Sequence, residues 1–283
     1  MNAPATTKPA SAAHVAEAVL HAHQANRRVR IVGQSTLEHL RPEAEPDALL
    51  LSTRALNTIN LVANDLIAYV GPGLDLHTLD AHLQAAGLFW PVSRLEAPRT
   101  IGGIVGSGRA TASGTADGPA RRWVLGAQLV NGLGQTLTVG GATVKNSVGY
   151  GLTHALWGSH GQLGAVTRLT LRLRTRTEQD TVGPVITQTA LLQAKAVLRC
   201  ENLTPADTNR VLDHISMAKA RVKANDESRI VALYDDRKEA ELAATKLQDS
   251  DLDARVEPLM ETRPDPPALL TLRASLDPHS LFV

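Results

Sequence analysis

Cysteine, aromatic residues and long apolar runs are all scarce in this chain. Its 283 residues include one cysteine, Cys200, and only 3% aromatic residues. A single thiol excludes an internal disulfide framework and any zinc or iron–sulfur site that uses only cysteine ligands. No segment approaches the ~18 apolar residues of a membrane-spanning helix, and the N-terminal residues lack the basic and apolar parts of a secretory signal. We therefore expect a cytoplasmic protein that reaches a membrane only through a partner and does not insert into it directly.

Charge is balanced over the whole chain but uneven along it. The formal net charge is +1, so no global attraction to nucleic acid or to an anionic membrane surface is expected. Between Ala97 and Thr177, however, nine basic residues stand against one acidic residue, Asp117. From Glu201 onward there are eleven basic and sixteen acidic residues. The middle of the chain is therefore the part that favours an anionic ligand.

The composition is that of a globular protein, with 43% hydrophobic and 20% charged residues. Apolar spacing predicts helices over residues 14–24, 77–86, 208–221 and 238–248. Short strands are predicted over residues 29–32, 48–52, 66–70, 124–130, 135–139 and 166–173, with a hairpin turn at residues 131–134. Glycine almost disappears after Arg176, which places a domain boundary near residues 174–180.

Glycine is concentrated in the middle, where 16 of the 21 glycines lie between Gly102 and Gly164. Glycine-rich turns beside basic side chains often bind phosphate, because backbone N–H groups can converge on its oxygens without an intervening Cβ. The dinucleotide fingerprint G-x-G-x-x-G is absent, and so is the phosphate loop of nucleoside triphosphatases. A doubly wound nucleotide fold and an NTPase are therefore disfavoured.

Four glycine-containing segments follow one another at characteristic spacing, at residues 31–36, 100–103, 140–150 and 158–166. Together they resemble the FAD-binding domain of the vanillyl-alcohol oxidase and p-cresol methylhydroxylase (PCMH-type) superfamily. Within it, they are most similar to the FAD-binding subunits of glycolate oxidase (GlcE). The resemblance covers roughly residues 12–174.

The resemblance implies an α+β fold. After a flexible tail at residues 1–11, a PCMH-type FAD-binding domain of two α+β subdomains is expected over residues 12–177. A short α+β cap domain on the substrate side is expected over residues 178–283. The segment at 272–282 also resembles the closing Asp-Pro-x-x-x-Phe motif of the family.

In this family the first loop wraps the pyrophosphate of FAD, and the Thr-Ile-Gly-Gly turn lies along the same cofactor. The resemblance therefore implies that FAD is bound by Gly33, Gln34, Ser35, Thr36, Leu37, Thr100, Ile101, Gly102, Gly103, Gly106, Ser107, Gly108, Lys145, Gly161, Gly164, Ala165 and Val166. Members that attach flavin covalently use a loop His or a Cys. This loop has neither, and Cys200 lies outside the domain, so noncovalent FAD is expected.

A pyrophosphate carries about two negative charges, which nearby cations can neutralise in a partly dry site. The available cations are Arg109, Arg121, Arg122 and Lys145, and for each of them a solvated surface position is an equal alternative. Gly151 stands where the family usually has Asp. Residues 109–118 look like an insertion, which leaves the register of the arginine pair open. No histidine spacing indicates a metal site.

The resemblance leaves two functions open. In the first, the chain is the FAD-binding subunit of a glycolate oxidase-like complex, in which a small 2-hydroxy acid gives a hydride to flavin N5 and electrons pass to a partner. In the second, it binds FAD but only holds such a complex together. Both imply a hetero-oligomer with a GlcD-like flavin subunit and a GlcF-like iron–sulfur subunit. The sequence identifies no catalytic residue, because the His-rich stretch common in related hydroxy-acid dehydrogenases is missing.

Overall fold

A computed structural model describes residues 5–35, 45–92, 99–108, 117, 119–142, 150–177, 180, 196–201, 203–217, 220, 222–226, 229–256 and 267–283. The helices in these ranges are α1 (Ala12–Gln24), α2 (Leu76–Ala85), α3 (Ile101–Ser107), α4 (Tyr150–Leu156), α5 (Pro205–Met217), α6 (Arg237–Gln248) and α7 (Pro267–Leu276). The strands are β1 (Thr6–Thr7), β2 (Val29–Val32), β3 (Leu49–Ser52), β4 (Ile59–Val62), β5 (Ile67–Val70), β6 (Leu88–Phe89), β7 (Val124–Val130), β8 (Thr136–Gly140), β9 (Ala165–Arg172), β10 (Arg174–Thr175), β11 (Ala196–Glu201), β12 (Val222–Asp226), β13 (Arg229–Tyr234) and β14 (Asp253–Val256).

The N-terminal strands form a small parallel sheet with the order β1-β3-β2. Ser11 caps the N-terminus of helix α1, because its hydroxyl accepts a hydrogen bond from the His14 N–H and so satisfies one of the free donors of the first turn. The helix buries Val15 and Val19 in a core that also contains Leu51 of the sheet. Strand β2 leads directly into the first predicted cofactor loop.

A five-stranded antiparallel sheet with the order β4-β5-β9-β7-β8 forms the second layer. Its β7–β8 hairpin turns at residues 131–134, as the sequence predicted, because the Asn131 side chain accepts hydrogen bonds from the Leu133 and Gln135 N–H groups. One face of the sheet packs against α2, α3 and α4 in the largest core. We call this the inner face and the opposite one the outer face.

Residues 196–256 form an independent layer with the chain order β11–α5–β12–β13–α6–β14. The sheet order is β12-β13-β11-β14 and every pairing is antiparallel, which is the split βαβ arrangement of ferredoxin-like folds. Helix α5 begins at Pro205, three residues before the predicted start, because the Thr204 hydroxyl accepts a hydrogen bond from the Asp207 N–H. This layer has a core of its own, and both layers together confirm the α+β class.

The last residues return to the first core. Leu276 at the end of α7 packs in the core of the five-stranded sheet, and Phe282 pairs in parallel with Val29 of β2. The division after residue 177 stays a prediction, and these contacts favour counting residues 267–283 with the first layer. Among the described residues, none of the helices combines the length and apolar character needed to traverse a bilayer.

Candidate cofactor site

Helix α3 lies at the centre of the predicted cofactor segments. Thr100 caps its N-terminus, where the threonine hydroxyl accepts a 3.1 Å hydrogen bond from the Gly103 N–H. The Ile101 N–H donates to the Leu74 carbonyl, and the Gly102 N–H donates to the Pro72 carbonyl, both at 2.8 Å. The first-turn donors of α3 are therefore satisfied within the protein, which holds the start of this short helix in place.

The first predicted loop touches the start of α3. A Cβ added to Gly33 would lie only 2.7 Å from the Thr100 hydroxyl, so the close approach requires glycine. Ser35 has a positive φ of 56°, a conformation that L residues adopt rarely and that often marks a functional turn. Gln34 lies between them, and the predicted Thr36 and Leu37 are outside the described residues.

The other end of α3 meets the last predicted segment. Gly108 ends the helix with a φ of 63°, and a Cβ on it would lie 2.7 Å from the Gly158 Cα. The His160 N–H donates to the Gly106 carbonyl at 2.8 Å, and the Gly158 N–H donates to the Val105 carbonyl at 2.9 Å. The loop before β9 is therefore hydrogen-bonded to the C-terminal turn of α3.

Gly161, in the loop before β9, contacts strand β2. A Cβ on this residue would lie 3.2 Å from the Ile31 side chain, so the loop before β9 also packs against β2. Gly164 follows with a φ of 136°, and a Cβ there would lie 2.6 Å from the Val130 carbonyl oxygen. Ala165 and Val166 then begin β9. Three of the predicted segments, at residues 33–35, 100–108 and 161–166, are thus neighbours in space.

One face of α3 carries no side chains. Ile101, Ile104 and Val105 are buried, whereas Gly103 and Gly106 lie one turn apart on the opposite face. A Cβ on Gly106 would meet no atom within 4 Å, and one on Gly103 would meet only the Thr100 hydroxyl. This bare backbone is a cradle that side chains would fill, and it fits a flat ring system or a phosphate at close range.

A polar cleft of about 190 Å³ lies beside the start of α3. It is lined by Gln34, Arg54, Asn57, Gly73, Leu74, Asp75, Thr78 and Thr100. The Gln34 Oε1 is buried and has no hydrogen-bond partner among the described residues, so it can accept one from a ligand. Burial raises the pKa of Asp75, but hydrogen bonds from the Thr78 hydroxyl and N–H outweigh this and lower it, so the carboxylate is charged.

One cation beside α3 was not among the four considered from the sequence. Arg121 and Arg122 lie exposed in a turn before β7, and Arg109 and Lys145 are outside the described residues. Arg99, which immediately precedes the Thr-Ile-Gly-Gly turn, is 6% exposed and donates a 3.2 Å hydrogen bond to the Ser107 hydroxyl of α3. Sequence reasoning overlooked it as a site residue, although its position next to Thr100 was a usable signal. Arg99 places positive charge beside the cradle.

The comparisons with known proteins agree with this geometry. Residues 3–140 match the family described as the FAD binding domain. D-lactate dehydrogenase of Archaeoglobus fulgidus is 33% identical over 127 residues, which are 45% of this chain and 29% of that protein. Glycolate oxidase subunit GlcE of Escherichia coli is 32% identical over 123 residues, 42% of this chain and 34% of that protein. The chain thus matches about a third of the length of these relatives.

A solved structure shows the same fold at low sequence identity. 6-Hydroxy-D-nicotine oxidase from Arthrobacter nicotinovorans superimposes with a TM-score of 0.52 at 16% identity, over 98% of this chain and 59% of that one. The fold is that of PCMH-type FAD-binding domains, as the resemblance predicted. The family match over residues 3–140 confirms FAD as the cofactor. Its noncovalent attachment and the individual binding residues stay predictions.

Proposed function

We propose that this chain holds FAD against the bare glycine face of α3 and acts in the oxidation of a small 2-hydroxy acid. The observation that carries the proposal is the open face of Gly103 and Gly106, which has the loop at residues 33–35 at one end of α3 and the loop at residues 158–164 at the other. The relatives support the substrate class, since two of them are named for D-lactate and for glycolate. When bound, FAD supplies the acceptor for the hydride of the substrate.

The residues around α3 have distinct roles in this proposal. Thr100 fixes the helix start, and Gly33 lets the first loop approach it closely. Arg99 supplies positive charge near a bound pyrophosphate, while the buried Gln34 Oε1 accepts a hydrogen bond from the cofactor. These residues bind and orient the cofactor, and the electrons leave through a partner.

We further propose that the partners are a GlcD-like flavin subunit and a GlcF-like iron–sulfur subunit. The support is the similarity to a protein that is itself named as a subunit of glycolate oxidase. A non-catalytic assembly subunit remains the second candidate. Residues 196–256 support it, because they form a small layer with a complete core of its own.

A substitution at Gly106 separates cofactor binding from folding. In the free chain, Gly106→Ala adds a methyl group that meets nothing within 4 Å. Alanine also favours the helix by roughly 0.5–1 kcal/mol. We therefore expect a higher melting temperature together with at least about tenfold weaker FAD binding, equivalent to about 1.4 kcal/mol. Isothermal titration with FAD and thermal unfolding measure the two effects.

Gly87→Ala provides the opposite control. Gly87 follows α2 with a φ of 67°, and a Cβ added there would meet no atom within 4 Å. Alanine at this position therefore costs roughly 1 kcal/mol through backbone strain alone. This variant should melt at a lower temperature and bind FAD as the wild type does. Wild-type FAD affinity in Gly106→Ala would contradict the proposed cradle.

Hydroxy-acid oxidation is tested on the FAD-loaded chain without oxygen. Addition of glycolate or D-lactate should bleach the visible flavin absorption if the first candidate is correct. Bound, releasable FAD that neither acid bleaches supports the assembly subunit instead. A chain that takes up no FAD would contradict both candidates.

A further inference from the structure

The outer face of the five-stranded sheet carries arginines that the cofactor site does not use. Arg168 and Arg172 of β9 are exposed on this face, on either side of Thr170. The inner face of the same sheet packs against α2 and α3. These two cations therefore point away from the cradle, although they belong to the basic middle of the chain.

Both side chains are held over aromatic rings. The guanidinium carbon of Arg168 lies 5.7 Å from the centre of the Tyr69 ring, and that of Arg172 lies 5.5 Å from the Trp123 ring. The chain has only three Trp, three Tyr and two Phe, so two of its eight aromatic side chains stack with these arginines. Stacking restricts the guanidinium groups and leaves their N–H donors free to bind a flat anion.

No carboxylate on the sheet balances this charge. The strands β4, β5, β7, β8 and β9 contain no Asp or Glu. Within the part of the chain that the structure describes, no ion pair joins Arg168 or Arg172 to an acidic residue. Arg121 and Arg122 are also exposed, in the turn that contains Trp123, and the exposed Asp65 lies in the turn between β4 and β5.

We propose that the outer face binds an acidic segment of a different protein, whose carboxylates pair with Arg168 and Arg172. Four residues along a strand span about 13 Å, so the two cations match carboxylates four residues apart on an extended segment. Arg and carboxylate form paired hydrogen bonds of good geometry, and such contacts are stronger than neutral ones. The face therefore accommodates an extended acidic segment laid along β9.

The observations favour a protein over a nucleic acid. The chain has a net charge of +1 and a pI near 8.0, whereas domains that bind nucleic acid are usually more basic. The neighbours of the arginines are Tyr69, Trp123 and the apolar Ile67, and Trp, Tyr and Arg dominate the energetics of protein interfaces. This combination of arginine, aromatic and apolar residues is more typical of a protein interface than of a surface that binds the phosphates of a nucleic acid.

The proposed docking face is independent of the cofactor site. An acidic segment on the outer face leaves the glycine face of α3 accessible, because the sheet lies between them. A variant of the outer face should therefore bind FAD normally. Loss of docking with normal FAD binding, or the reverse, tells the two proposals apart.

The test uses the full chain and a defined probe, a labelled 12-residue peptide of three Glu-Thr-Val-Thr repeats. We expect it to bind at low salt and to weaken as salt rises, since exposed charges are screened within ~10 Å at about 0.1 M salt. The double variant Arg168→Gln/Arg172→Gln should reduce the affinity about tenfold or more. The matched variant Arg210→Gln/Arg237→Gln removes the same charge from exposed helical ion pairs and should leave binding within about twofold.

Several outcomes would overturn the proposal. One is equal binding of a peptide with Gln in place of Glu, and another is equal loss of affinity in both double variants. Tighter binding of a short DNA duplex or of phosphatidylserine vesicles than of the peptide would assign the face to phosphate instead. Dimerisation abolished by Arg168→Gln/Arg172→Gln would place a second copy of this chain there.

Discussion

Arg174 makes several charged and aromatic contacts outside the cofactor site. Its guanidinium donates hydrogen bonds to Asp117 at 2.8 Å and to Asp180 at 2.6 Å, and its centre lies 4.8 Å from the Phe89 ring. Asp180 also accepts hydrogen bonds from the Thr177 N–H and hydroxyl. Burial raises the pKa of Asp180, but the hydrogen bonds from Arg174 and Thr177 outweigh it and lower the pKa overall. This one cation therefore joins Asp117 to the segment after β10.

This pairing makes the stability of the fold depend on pH. Because the pKa of Asp180 is lower in the folded state, its contribution is complete above the unfolded value of about 4 and is lost as pH falls through the folded pKa. Asp180→Asn should lower the free energy of unfolding by about 1–3 kcal/mol at neutral pH. It should also reduce the fall in melting temperature between neutral and acidic pH. Thermal unfolding between neutral and acidic pH measures both effects.

Asp65→Asn is the matched control, because Asp65 is an exposed carboxylate outside this cluster. It should change the melting temperature little at any pH. An Asp180→Asn variant with the same pH dependence as the wild type would show that the cluster does not stabilise the fold.

At the scale of elements, the segment after α7 extends the parallel sheet beside β2. The Val29 N–H donates to the Leu281 carbonyl at 2.7 Å, and the Val283 N–H donates to the Val29 carbonyl at 3.0 Å. The buried Asp277 carboxylate fixes this segment by accepting hydrogen bonds from the Leu281 and Phe282 N–H groups. Since β2 leads into the loop at residues 33–35, the segment supports the strand that carries this loop.

Asp277→Asn tests this support. An amide offers one oxygen where the carboxylate accepts two N–H donors, so one donor would face an NH₂ group at a cost of about 1–3 kcal/mol. We expect a lower melting temperature, faster hydrogen exchange at Val29 and weaker FAD binding. Asp213→Asn, at an exposed position of α5, is the control and should alter none of these. Normal FAD binding by a destabilised Asp277→Asn variant would show that the cofactor loop does not depend on this support of β2.

At the scale of the whole molecule, the described residues form separate cores. The core of residues 196–256 includes Tyr234, Cys200 and Ala240, and it shares no residue with the core around α3. Tyr234 is fully buried, and its hydroxyl has no hydrogen-bond partner among the described residues. Burial raises its pKa to about 12, so the phenol stays neutral and its buried O–H is a cost to this core.

We expect calorimetry to resolve two unfolding transitions. Tyr234→Phe should raise the midpoint of one by removing the unsatisfied hydroxyl, worth about 1 kcal/mol. FAD should raise the midpoint of only the other transition, because a hundredfold excess of FAD over its Kd adds about 2.7 kcal/mol to the unfolding free energy. Tyr69→Phe, at a partly exposed position of β5, controls for loss of a hydroxyl. A single transition that both changes shift equally would show that the cores unfold together.

Local patterns were enough to predict much of the FAD-binding half. Apolar spacing located α1 and α2, alternation located β2 and β7, and the turn at residues 131–134 was correct. The order of glycine segments indicated the FAD-binding fold, and several of these glycines meet a local backbone requirement, namely the positive φ of Gly140, Gly158, Gly161 and Gly164. The sequence by itself determined these features because a few neighbouring residues decide each of them.

Only the tertiary structure decided how these segments meet. Apolar spacing did not predict α3, because its three glycines disfavour a helix, yet the Thr100 cap and the buried Ile101 and Ile104 stabilise one. The role of Arg99, the position of Arg168 and Arg172 on the outer face, and the pairing of Phe282 with β2 also depend on distant contacts. Such contacts join residues that are far apart in the chain, so no local sequence pattern specifies which residues will pack together.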